Sequence, residues 1–511
     1  MSKEVKVHPL KAMRRAGVPL AGFETADPAQ CIRACLAALN GTKDEQPICS
    51  WDICTGLIGL NNIGKRFVKS WYEAAAMQLP DVLLQLAQRA EEEAKGLICF
   101  IHNVQRYFER DGVTQGIWLC RDSFKSAGCT LVLLGPSLQL PPELSQDVVV
   151  VTEPLPNAEE IGTIVDSVIS DAREAMGKDS LPGDYGKEKV VDTLLGLSAF
   201  AVEQSLSLSL SKSGIDFDGL WERKRRTVEQ TPGLSIWRGN DSFNSLGGLS
   251  NIKDFLTKIL TSGRTPVRAI GFIDEIEKGF AGSGGDLSGV SQDQLQVFLK
   301  VMQDFDIPGL ILVGPPGTGK SAIAKGAGSV AGAEVLSIDT GAMTGSLVGE
   351  SQRKIRAAME VFKAVSQGKG MFVATCNRIA SLPPELKRRF TLGTFYVDLP
   401  SAEEREFIWP IWLKKYNLPK QQLPECNGWT GAEIRACCDV AYRAGLTLIE
   451  ASAFVVPVCK SSADQILALR TMASGRFISA NKPGLYNHED SAKESIDSIT
   501  ATKKRQFNLG N

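Results

Sequence analysis

The feature that most constrains this chain is the segment Gly314–Ser321, which reads GPPGTGKS. It follows the apolar run GLILVG and precedes KSAIAKGAGSVAG, so a strand and a helix are expected on its two sides. Glycines let backbone N–H groups close around phosphate oxygens, and the N-terminus of a helix adds partial positive charge. The segment is therefore predicted to bind the phosphates of a nucleotide, supported by a parallel α/β sheet.

Two residues of this loop have distinct expected roles. Lys320 would place its charge on the β- and γ-phosphates, and Ser321 would supply a hydroxyl to Mg²⁺. A glycine-rich turn that merely caps a helix is the alternative. The predicted nucleotide-binding residues of the loop are Gly314, Pro315, Pro316, Gly317, Thr318, Gly319, Lys320 and Ser321.

A second motif stands in an unusual place, ahead of the loop. Residues 268–278 read RAIGFIDEIEK, an apolar strand that ends in Asp274 and Glu275. Such carboxylates emerge at the carboxyl edge of a parallel sheet, where ligands bind. Asp274 is predicted to hold Mg²⁺ and Glu275 to polarise the attacking water. Taken alone, an apolar run that ends in Asp-Glu also fits a helix cap or a turn.

Three polar residues beyond the loop are further site candidates. Asn377 ends the apolar run GMFVATCN and could hydrogen-bond the γ-phosphate or the water, or it could simply form a turn. Arg388 and Arg389 follow a short helical pattern. Either guanidinium could reach the γ-phosphate of a neighbouring subunit, and the alternative is a basic C-terminus of a helix.

The chain contains an internal repeat. Residues 134–160 can be laid over residues 374–404, because both have an apolar strand, Leu-Pro-Pro-Glu-Leu, a second strand, Leu-Pro and Ala-Glu-Glu. The first copy has no glycine-rich loop followed by lysine. Its strand LICFIHN ends in His102 and Asn103, where the second copy has Asp274 and Glu275. The N-terminal half is therefore predicted to be a degenerate copy that hydrolyses nothing.

Composition bounds the class of protein. The 511 residues are 43% hydrophobic and 23% charged, with a formal net charge of −1, which gives no reason to expect nucleic acid as a partner. No apolar run reaches the length of a membrane span, and the N-terminal residues lack the pattern of a signal peptide. The 12 cysteines do not have zinc-site spacing. A cytoplasmic protein with reduced cysteines is expected.

The predicted fold class is α/β, with two sheet-containing halves, each followed by helices. The predicted organisation is a degenerate α/β domain over 1–172, a helical lid-like region and linker over 173–241, a nucleotide-binding α/β core over 242–400, a helical lid over 401–479 and a mobile tail over 480–511.

Five segments together resemble the AAA ATPase module: GPPGTGKS, FIDEIEK, ATCN…LPPELKRRF, GSLVGES and TGAEI. The sequences of these motifs are most similar to those of the plastid-type open-reading-frame AAA ATPases. Those proteins also carry a degenerate ATPase-like N-terminal half. The resemblance implies ATP and Mg²⁺ as cofactors and a homo-oligomeric ring. It implies that Leu246 and Gly247 line the adenine pocket and that Gly431 and Ala432 pack near the adenosine. Arg435 would be a phosphate sensor in the lid, or an exposed helical arginine.

The order of the motifs departs from that family. There the acidic strand follows the VGES helix, whereas here it precedes the phosphate-binding loop. The family sheet has the spatial strand order 5-1-4-3-2, and moving strand 3 to the front of the chain is compatible with right-handed crossovers. The strand is therefore predicted to keep its place in the sheet. A second departure is Leu347, which stands where polypeptide-threading members carry an aromatic residue.

Two functions are compatible with these residues. The first is an oligomeric ATP hydrolase that remodels an unidentified macromolecular partner. The alternative is a nucleotide-gated scaffold with little turnover, which the permuted order and Leu347 favour. Handling of DNA or RNA is disfavoured by the neutral charge and by the lack of a basic–aromatic motif.

Overall fold

The computed structural model describes residues 7–39, 46–71, 78–176, 185–211, 214–237, 242–263, 266–280, 298–300, 302–303, 306–343 and 350–489. The chain divides into two compact units. The first comprises Met1–Leu155 with Ser198–Gln204, and the second comprises Pro156–Leu197 with Ser205–Asn511. The domain boundary predicted at residue 172 lies inside a helix, Ala158–Met176, of the second unit.

The first unit contains a six-stranded sheet. Its strands are β1 Leu20–Glu24, β2 Ile48–Asp52, β3 Gly56–Gly59, β4 Ile98–His102, β5 Thr130–Gly135 and β6 Val149–Thr152. The order across the sheet is β3-β2-β4-β5-β1-β6, and every neighbouring pair is parallel except the β2–β3 hairpin. Without β3, the parallel strands read 5-1-4-3-2 from β6, numbered by their order in the chain.

Both faces of this sheet are buried, as near-continuous apolar strands predict. In β5, Leu131 and Leu133 belong to one apolar cluster, whereas Val132 and Leu134 belong to the other. Successive side chains of a strand point to opposite faces, so a single apolar run supplies both cores. Helices cover the two faces and complete the α/β architecture.

The second unit contains a seven-stranded sheet and a short hairpin. The hairpin strands are β7 Leu210–Ser211 and β8 Gly214–Ile215, and the sheet strands are β9 Leu234–Trp237, β10 Ala269–Ile273, β11 Gly309–Val313, β12 Glu334–Ile338, β13 Gly370–Cys376, β14 Thr394–Tyr396 and β15 Ile478–Ser479. The order across the sheet is β15-β14-β11-β13-β10-β12-β9. The acidic strand β10 lies between β12 and β13 and is parallel to both. The prediction that this strand keeps its place in the sheet is confirmed.

The helices follow the strands in the alternation expected of an α/β chain. Several of them begin at side chains that accept from the first turn; for example, Asp27 accepts from the backbone N of Gln30 and Asn61 from that of Gly64. The helices span Pro9–Arg15, Pro28–Ala38, Asn62–Lys69, Leu79–Glu93, Val113–Ala127, Ala158–Met176, Lys187–Leu194, Ala199–Ser207, Phe217–Val228, Ser250–Thr261, Glu277–Phe280, Lys320–Ala331, Glu350–Ser366, Pro384–Arg389, Ala402–Lys415, Gly431–Ala444, Leu448–Ser452, Val458–Ser461 and Ala463–Ala473.

The helical region that follows the first sheet packs against the second sheet. Lys224, whose side chain is fully buried, places Nζ 2.7 and 2.8 Å from the two carboxylate oxygens of Glu334 at the start of β12. Asp192 pairs with Arg268 just before β10, at 3.1 Å. Removing one partner of a buried ion pair costs about 3–5 kcal/mol, so the Lys224 contact anchors helix Phe217–Val228 to the edge of the sheet.

Two predicted segments differ from the structure. The predicted linker contains β9, whose Leu234 and Ile236 are buried and which pairs antiparallel with β12. Residues 480–489, assigned from the sequence to a mobile tail, are packed: Ala480 is fully buried, and the Tyr486 hydroxyl donates to Asp398 at 2.7 Å. A short alternating run and a single anchoring aromatic were too weak to reveal these contacts in the sequence.

Some predictions concern residues that the structure does not describe. Leu347 and most of the GSLVGES segment lie outside the described residues, as do the GFAGSGGDLSGV segment from residue 281 onward and the remainder of the predicted tail, residues 490–511.

Candidate nucleotide-binding site

The predicted phosphate-binding loop connects β11 to helix Lys320–Ala331, as expected. Gly317 and Gly319 have φ of +81° and +93°, a region that side chains rarely adopt. At Gly314 there is no room for a side chain, because a Cβ would lie 2.1 Å from the carbonyl oxygen of Val397. The glycines of the motif are therefore required by the path of the loop itself.

Lys320 is almost fully buried beneath this loop. Its Nζ donates to the carbonyl oxygens of Gly314 and Pro315, at 2.8 and 2.6 Å. Burial lowers the pKa of Lys320 to about 8, and the nearby carboxylate of Glu277 opposes that effect. A buried ammonium whose described hydrogen bonds go to neutral carbonyls has an electrostatic reason to favour a bound anion.

The displaced strand delivers Asp274 to the start of this helix. Ser321 Oγ donates to Asp274 Oδ1 at 3.0 Å, and Thr375 Oγ1 donates to the same oxygen at 2.6 Å. Asp274 and Ser321 are thus adjacent although they come from separate segments. A carboxylate beside a hydroxyl at the carboxyl edge of a parallel sheet is an oxygen set that suits Mg²⁺, so these residues fit the metal.

Glu275 and Asn377 are also brought together. Asn377 Nδ2 donates to Glu275 Oε1 at 2.9 Å, and the Glu275 carboxylate forms an ion pair with Lys278. The backbone of Glu275 has φ +47°, and its N–H donates to Thr375 Oγ1 at 2.8 Å. A non-glycine residue in this conformation is strained, and the hydrogen bond from its N–H helps to keep it there.

Sequence reasoning missed two residues of the site. Thr375, 1% exposed, contacts both Asp274 and the backbone of Glu275. Glu277, 7% exposed, accepts from the backbone N of Asn377 at 2.9 Å. A hydroxyl near the end of the otherwise apolar run MFVATC was the available signal for Thr375. Nothing in the sequence distinguishes Glu277 from a surface residue of a helix.

The helical lid touches the loop directly. The backbone N of Ala432 donates to the carbonyl oxygen of Gly317 at 3.3 Å. A Cβ on Gly317 would lie 2.9 Å from Thr430 Oγ1 and 3.0 Å from Ala432 Cβ, so the loop and the lid approach as closely as glycine allows. Thr430 forms a capping box at the start of helix Gly431–Ala444, which orients the end of that helix toward the loop.

The predicted adenine-pocket segment meets the lid from the other side. At Gly247 a Cβ would lie 2.5 Å from Ile408 Cγ1 of the lid. The carbonyl oxygen of the preceding residue, Leu246, accepts from Lys253 Nζ. Leu249 follows with φ +59°, and its N–H donates to Glu404 at 3.1 Å. Leu246, Gly247, Gly431 and Ala432 are therefore placed along the seam between core and lid.

Two of the three predicted arginines contact other residues. Arg435 is exposed, and its guanidinium lies over the ring of Trp412 at 5.4 Å. Arg389 Nη2 donates to Gln303 Oε1 at 2.7 Å. Arg388, its neighbour at the end of helix Pro384–Arg389, is exposed. Within one chain, the described contacts do not bring these guanidinium groups to the loop.

The first half has equivalent positions at the same edge. Thr25 N donates to Gly135 O there, as Gly314 N does to Cys376 O in the second half. His102 ends β4 and Asn103 follows it, at the positions where Asp274 and Glu275 follow β10, and Asn103 has φ +52°, close to that of Glu275. Burial lowers the pKa of His102, with Asp52 opposing. The backbone of the site is therefore kept, while its carboxylates are lost.

A carboxylate occupies the place of the loop in the first half. Asp27, which caps helix Pro28–Ala38 through Oδ1, accepts from the backbone N of Phe200 through Oδ2 at 3.2 Å. Phe200 lies in the second position of its helix, as Ala432 does in the second half. The lid-like helix of the first half is thus held by an anionic side chain where the second half has a glycine carbonyl.

Comparison with known proteins agrees with this picture. A family model described as "ATPase family associated with various cellular activities (AAA)" matches residues 310–369, and one described as "SpoVK-like AAA ATPase, N-terminal domain" matches residues 6–153. The first match stops just before β13, at the point where the usual chain order requires the acidic strand. The displaced strand β10 lies outside that match.

Several curated relatives carry AAA domains. The uncharacterized AAA domain-containing protein ycf46 of Gracilaria tenuistipitata var. liui is 26% identical over 57% of this chain and 61% of its own length. The ycf46 protein of Trieres chinensis is 23% identical over 76% of this chain and 79% of its own. Fidgetin-like protein 1 of Drosophila melanogaster is 26% identical over 27% of this chain and 35% of its own. The chain spans about three fifths of the first relative.

The fold, the loop and these matches make the chain similar to the class of AAA ATPases, over residues 6–153 and 310–369. Within that class the chain is related to the ycf46 proteins. No helix in the described ranges is long and apolar enough to cross a bilayer. The same ranges contain no cluster of three or more His, Cys, Asp or Glu side chains arranged to hold a metal ion.

Proposed function

We propose that the chain hydrolyses ATP as a homo-oligomeric ring and uses the nucleotide cycle of its second half to remodel a protein partner. The observation that carries the proposal is the convergence of Ser321 and Thr375 on one oxygen of Asp274. Asp274 arrives from a strand that is out of the family order, yet it lies beside the hydroxyl that a nucleotide-bound metal would require. The first half keeps the same strand order but has His102 where this carboxylate stands, so the side-chain contacts of Asp274, and not the sheet alone, support the proposal.

The residues divide the work as follows. Gly314–Gly319 and Lys320 would bind the phosphates, while Ser321 and Asp274 would hold Mg²⁺, which supplies charge neutralisation to the phosphate oxygens. Glu275 would orient the attacking water, and Asn377 would keep its carboxylate in place. Leu246, Gly247, Gly431 and Ala432 would enclose the adenosine between core and lid.

The oligomer supports the remaining step. Arg388 and Arg389 lie at the end of a helix and make no described contact with the loop of their own chain. A guanidinium supplied by the next subunit would stabilise the charge that develops on the transferred phosphoryl group. The 12 free cysteines fit a reducing compartment, and we place the protein in the cytoplasm.

Steady-state ATP hydrolysis per chain, measured across a series of protein concentrations, tests the proposal. The rate per chain is expected to rise with concentration and to fall to background in Glu275→Gln, because subunits share the site and the variant cannot activate water. Glu403→Gln, an acidic residue in the first turn of the lid helix Ala402–Lys415, is the matched control and is expected to keep the rate. A rate per chain that does not depend on concentration would contradict the shared site.

A nucleotide-gated scaffold is the second candidate. It is favoured by the Glu275 carboxylate, which is engaged by both Asn377 and Lys278 rather than open to water. Under this alternative ATP binds and closes the lid while turnover stays at background, and Glu275→Gln leaves partner binding intact. Measurable ATP binding without hydrolysis at any protein concentration would select it.

A further inference from the structure

The outer edge of β6 in the first half is open. Among the described residues, β6 pairs with β1 and with no other strand. Val149 and Val150 are 44% and 38% exposed. Soluble proteins commonly block such an edge with a lysine or a proline, and Val149–Thr152 contains neither. The first half therefore presents an apolar strand whose edge is available for pairing.

The matching strand of the second half is covered. β14 pairs in parallel with β15, with Phe395 opposite Ile478 and Tyr396 opposite Ser479. The backbone N of Ala480 donates to the carbonyl oxygen of Tyr396 at 3.0 Å. Phe395 and Tyr396 are each 1% exposed. The internal repeat thus shows what covers this edge when a cover is present, namely a short parallel strand.

In the first half, the strand that could cover the edge of β6 pairs with the second sheet instead. In the second half the covering strand β15 follows the last lid helix, Ala463–Ala473. In the first half the last helix of the lid-like region is Phe217–Val228, and the strand that follows it, β9, pairs with β12 of the second sheet. The edge of β6 is bare because the segment that would close it belongs to the other sheet.

The backbone of β6 is oriented to accept a cover. Glu153 N donates to Glu24 O at 2.9 Å, as Val397 N donates to Val313 O at 2.7 Å, so Thr152 corresponds to Tyr396. Successive residues of a strand direct their hydrogen-bonding groups to opposite sides. Val150 and Thr152 therefore present N–H and C=O groups at the open edge.

We propose that the open edge of β6 binds an extended segment of a protein partner as an added parallel strand. The fitting segment has an aliphatic residue followed by small residues, as Ile478, Ser479 and Ala480 have over β14. Val149 and Val150 supply apolar surface on the two faces of the sheet. The surface lies in the first half, so the proposal holds whether or not the second half hydrolyses ATP.

A labelled peptide of sequence GRFISANK, which is residues 475–482 of this chain, is the probe. Fluorescence anisotropy with the full chain is expected to show saturable binding that is the same with and without ATP. The control peptide GRFISPNK lacks the N–H of residue 480, which in the chain donates to Tyr396 O just after β15, and is expected to bind about tenfold more weakly. Equal binding of the two peptides, or no binding of either, would overturn the proposal.

Protein variants locate the binding to β6. Val150→Pro removes an N–H that faces the open edge and none that pairs with β1, so about tenfold weaker binding is expected. Val150→Thr keeps the backbone group and is expected to bind within about twofold of the unmodified chain. Val149→Lys keeps every backbone group, blocks the edge with a charge, and serves if Val150→Pro lowers the melting temperature.

Two outcomes would count against the proposal. Unchanged peptide affinity in both Val150→Pro and Val149→Lys would place binding elsewhere. A chain that binds no peptide but whose oligomer is reduced in mass by Val149→Lys would show that the edge is covered by a second copy. If the unmodified chain binds the peptide but hydrolyses no ATP, only the proposed function is contradicted, and the proposed peptide site stands.

Discussion

At the carboxyl edge of the first sheet, Asp27 caps a helix and holds the amide of Phe200, whereas at the same edge of the second sheet a glycine loop surrounds Lys320. The two sheets otherwise share one spatial arrangement, in which β14, β11, β13, β10 and β12 take the places of β6, β1, β5, β4 and β2, with an added antiparallel strand beside β12 and β2. They share even the left-handed backbone at Asn103 and Glu275. The sheet therefore determines the position of the site. A few residues at the carboxyl edge, an aspartate in one half and a lysine in the other, determine the charge of the site.

The two halves also differ in how the core contacts its lid or lid-like helix. In the second half the seam between loop and lid contains the hydrogen bond from Ala432 to Gly317, and a buried ammonium lies beneath the loop. In the first half the carboxylate of Asp27 joins the core to the lid-like helix directly. In the first half an anionic side chain of the chain itself therefore makes the contact with the lid-like helix that a loop carbonyl makes in the second half.

The largest expected effect is a loss of ATP hydrolysis, and it distinguishes the two arginines of the second half from each other. The first half has no arginine at the corresponding positions, which are Gln146 and Asp147. Arg388→Ala is expected to lower hydrolysis roughly a thousandfold, since a guanidinium supplied in trans can be worth that much. Arg389→Ala is the matched control and is expected to cost less, because Arg389 is engaged by Gln303 of its own chain. Adding Glu275→Gln chains to Arg388→Ala chains is expected to restore hydrolysis in mixed rings. No recovery would contradict action in trans.

The second prediction makes the second half resemble the first. Asp274→Asn is expected to lower hydrolysis by about a hundredfold or more, because the metal loses a charged partner worth several kcal/mol. ATP binding measured without Mg²⁺ should persist. His102→Gln, the matched change in the first half, is expected to leave the rate unaltered. Equal losses in the two variants would show that the first half takes part in catalysis.

The third prediction concerns Lys320, which has no counterpart in the loop of the first half. Because its pKa is lowered to about 8 while bound phosphates favour the charged form, ATP affinity is expected to fall about tenfold between about pH 7 and about pH 9. Proton uptake on binding, measured by calorimetry in two buffers near pH 8, gives the sign directly. Lys320→Arg keeps its charge and should flatten the profile; an equally steep profile would assign it to another group.

The same pKa has a consequence for stability. A lysine whose pKa is depressed in the folded state binds fewer protons there than in the unfolded chain between about pH 8 and about pH 10.5. In the absence of nucleotide, the contribution of Lys320 to the free energy of unfolding is therefore expected to rise with pH across that window. Lys320→Met removes this pH-dependent contribution. Denaturant unfolding of the unmodified chain and of the variant, compared across the same pH range, therefore isolates the contribution of Lys320.

The smallest expected effect tests the anionic side chain of Asp27. Asp27→Ala removes both the helix cap and the acceptor for Phe200, and it is expected to lower the free energy of unfolding of the first half by about 1–2 kcal/mol. Asp27→Asn can keep the cap at Gln30 while replacing the charged acceptor, so its loss should be smaller. Hydrogen exchange at the Phe200 amide is the direct measurement. Protection that is unchanged in Asp27→Ala would show that the carboxylate does not hold this helix.

The sequence predicted the parts of the site that lie in one continuous run. GPPGTGKS and FIDEIEK each carry their chemistry locally, and the missing strand between the VGES helix and Asn377 predicted the displaced position of β10. Thr375 could not be assigned in the same way, because its contact with Asp274 depends on the register between β10 and β13. Asp27 read as an ordinary helix cap, since its second contact comes from a distant helix. The strand β9 was missed because only two of its residues are buried.

The position of β10 in the chain also determines when this strand can pair during synthesis. Both of its neighbours are made after it, since β12 spans Glu334–Ile338 and β13 spans Gly370–Cys376. In the first sheet the central strand β4 finds β2 already made. A nascent chain must therefore shield an unpaired apolar strand until most of the second half has left the ribosome, and non-local pairing of this kind slows folding. The rearranged order gives the same finished site a longer and more exposed assembly.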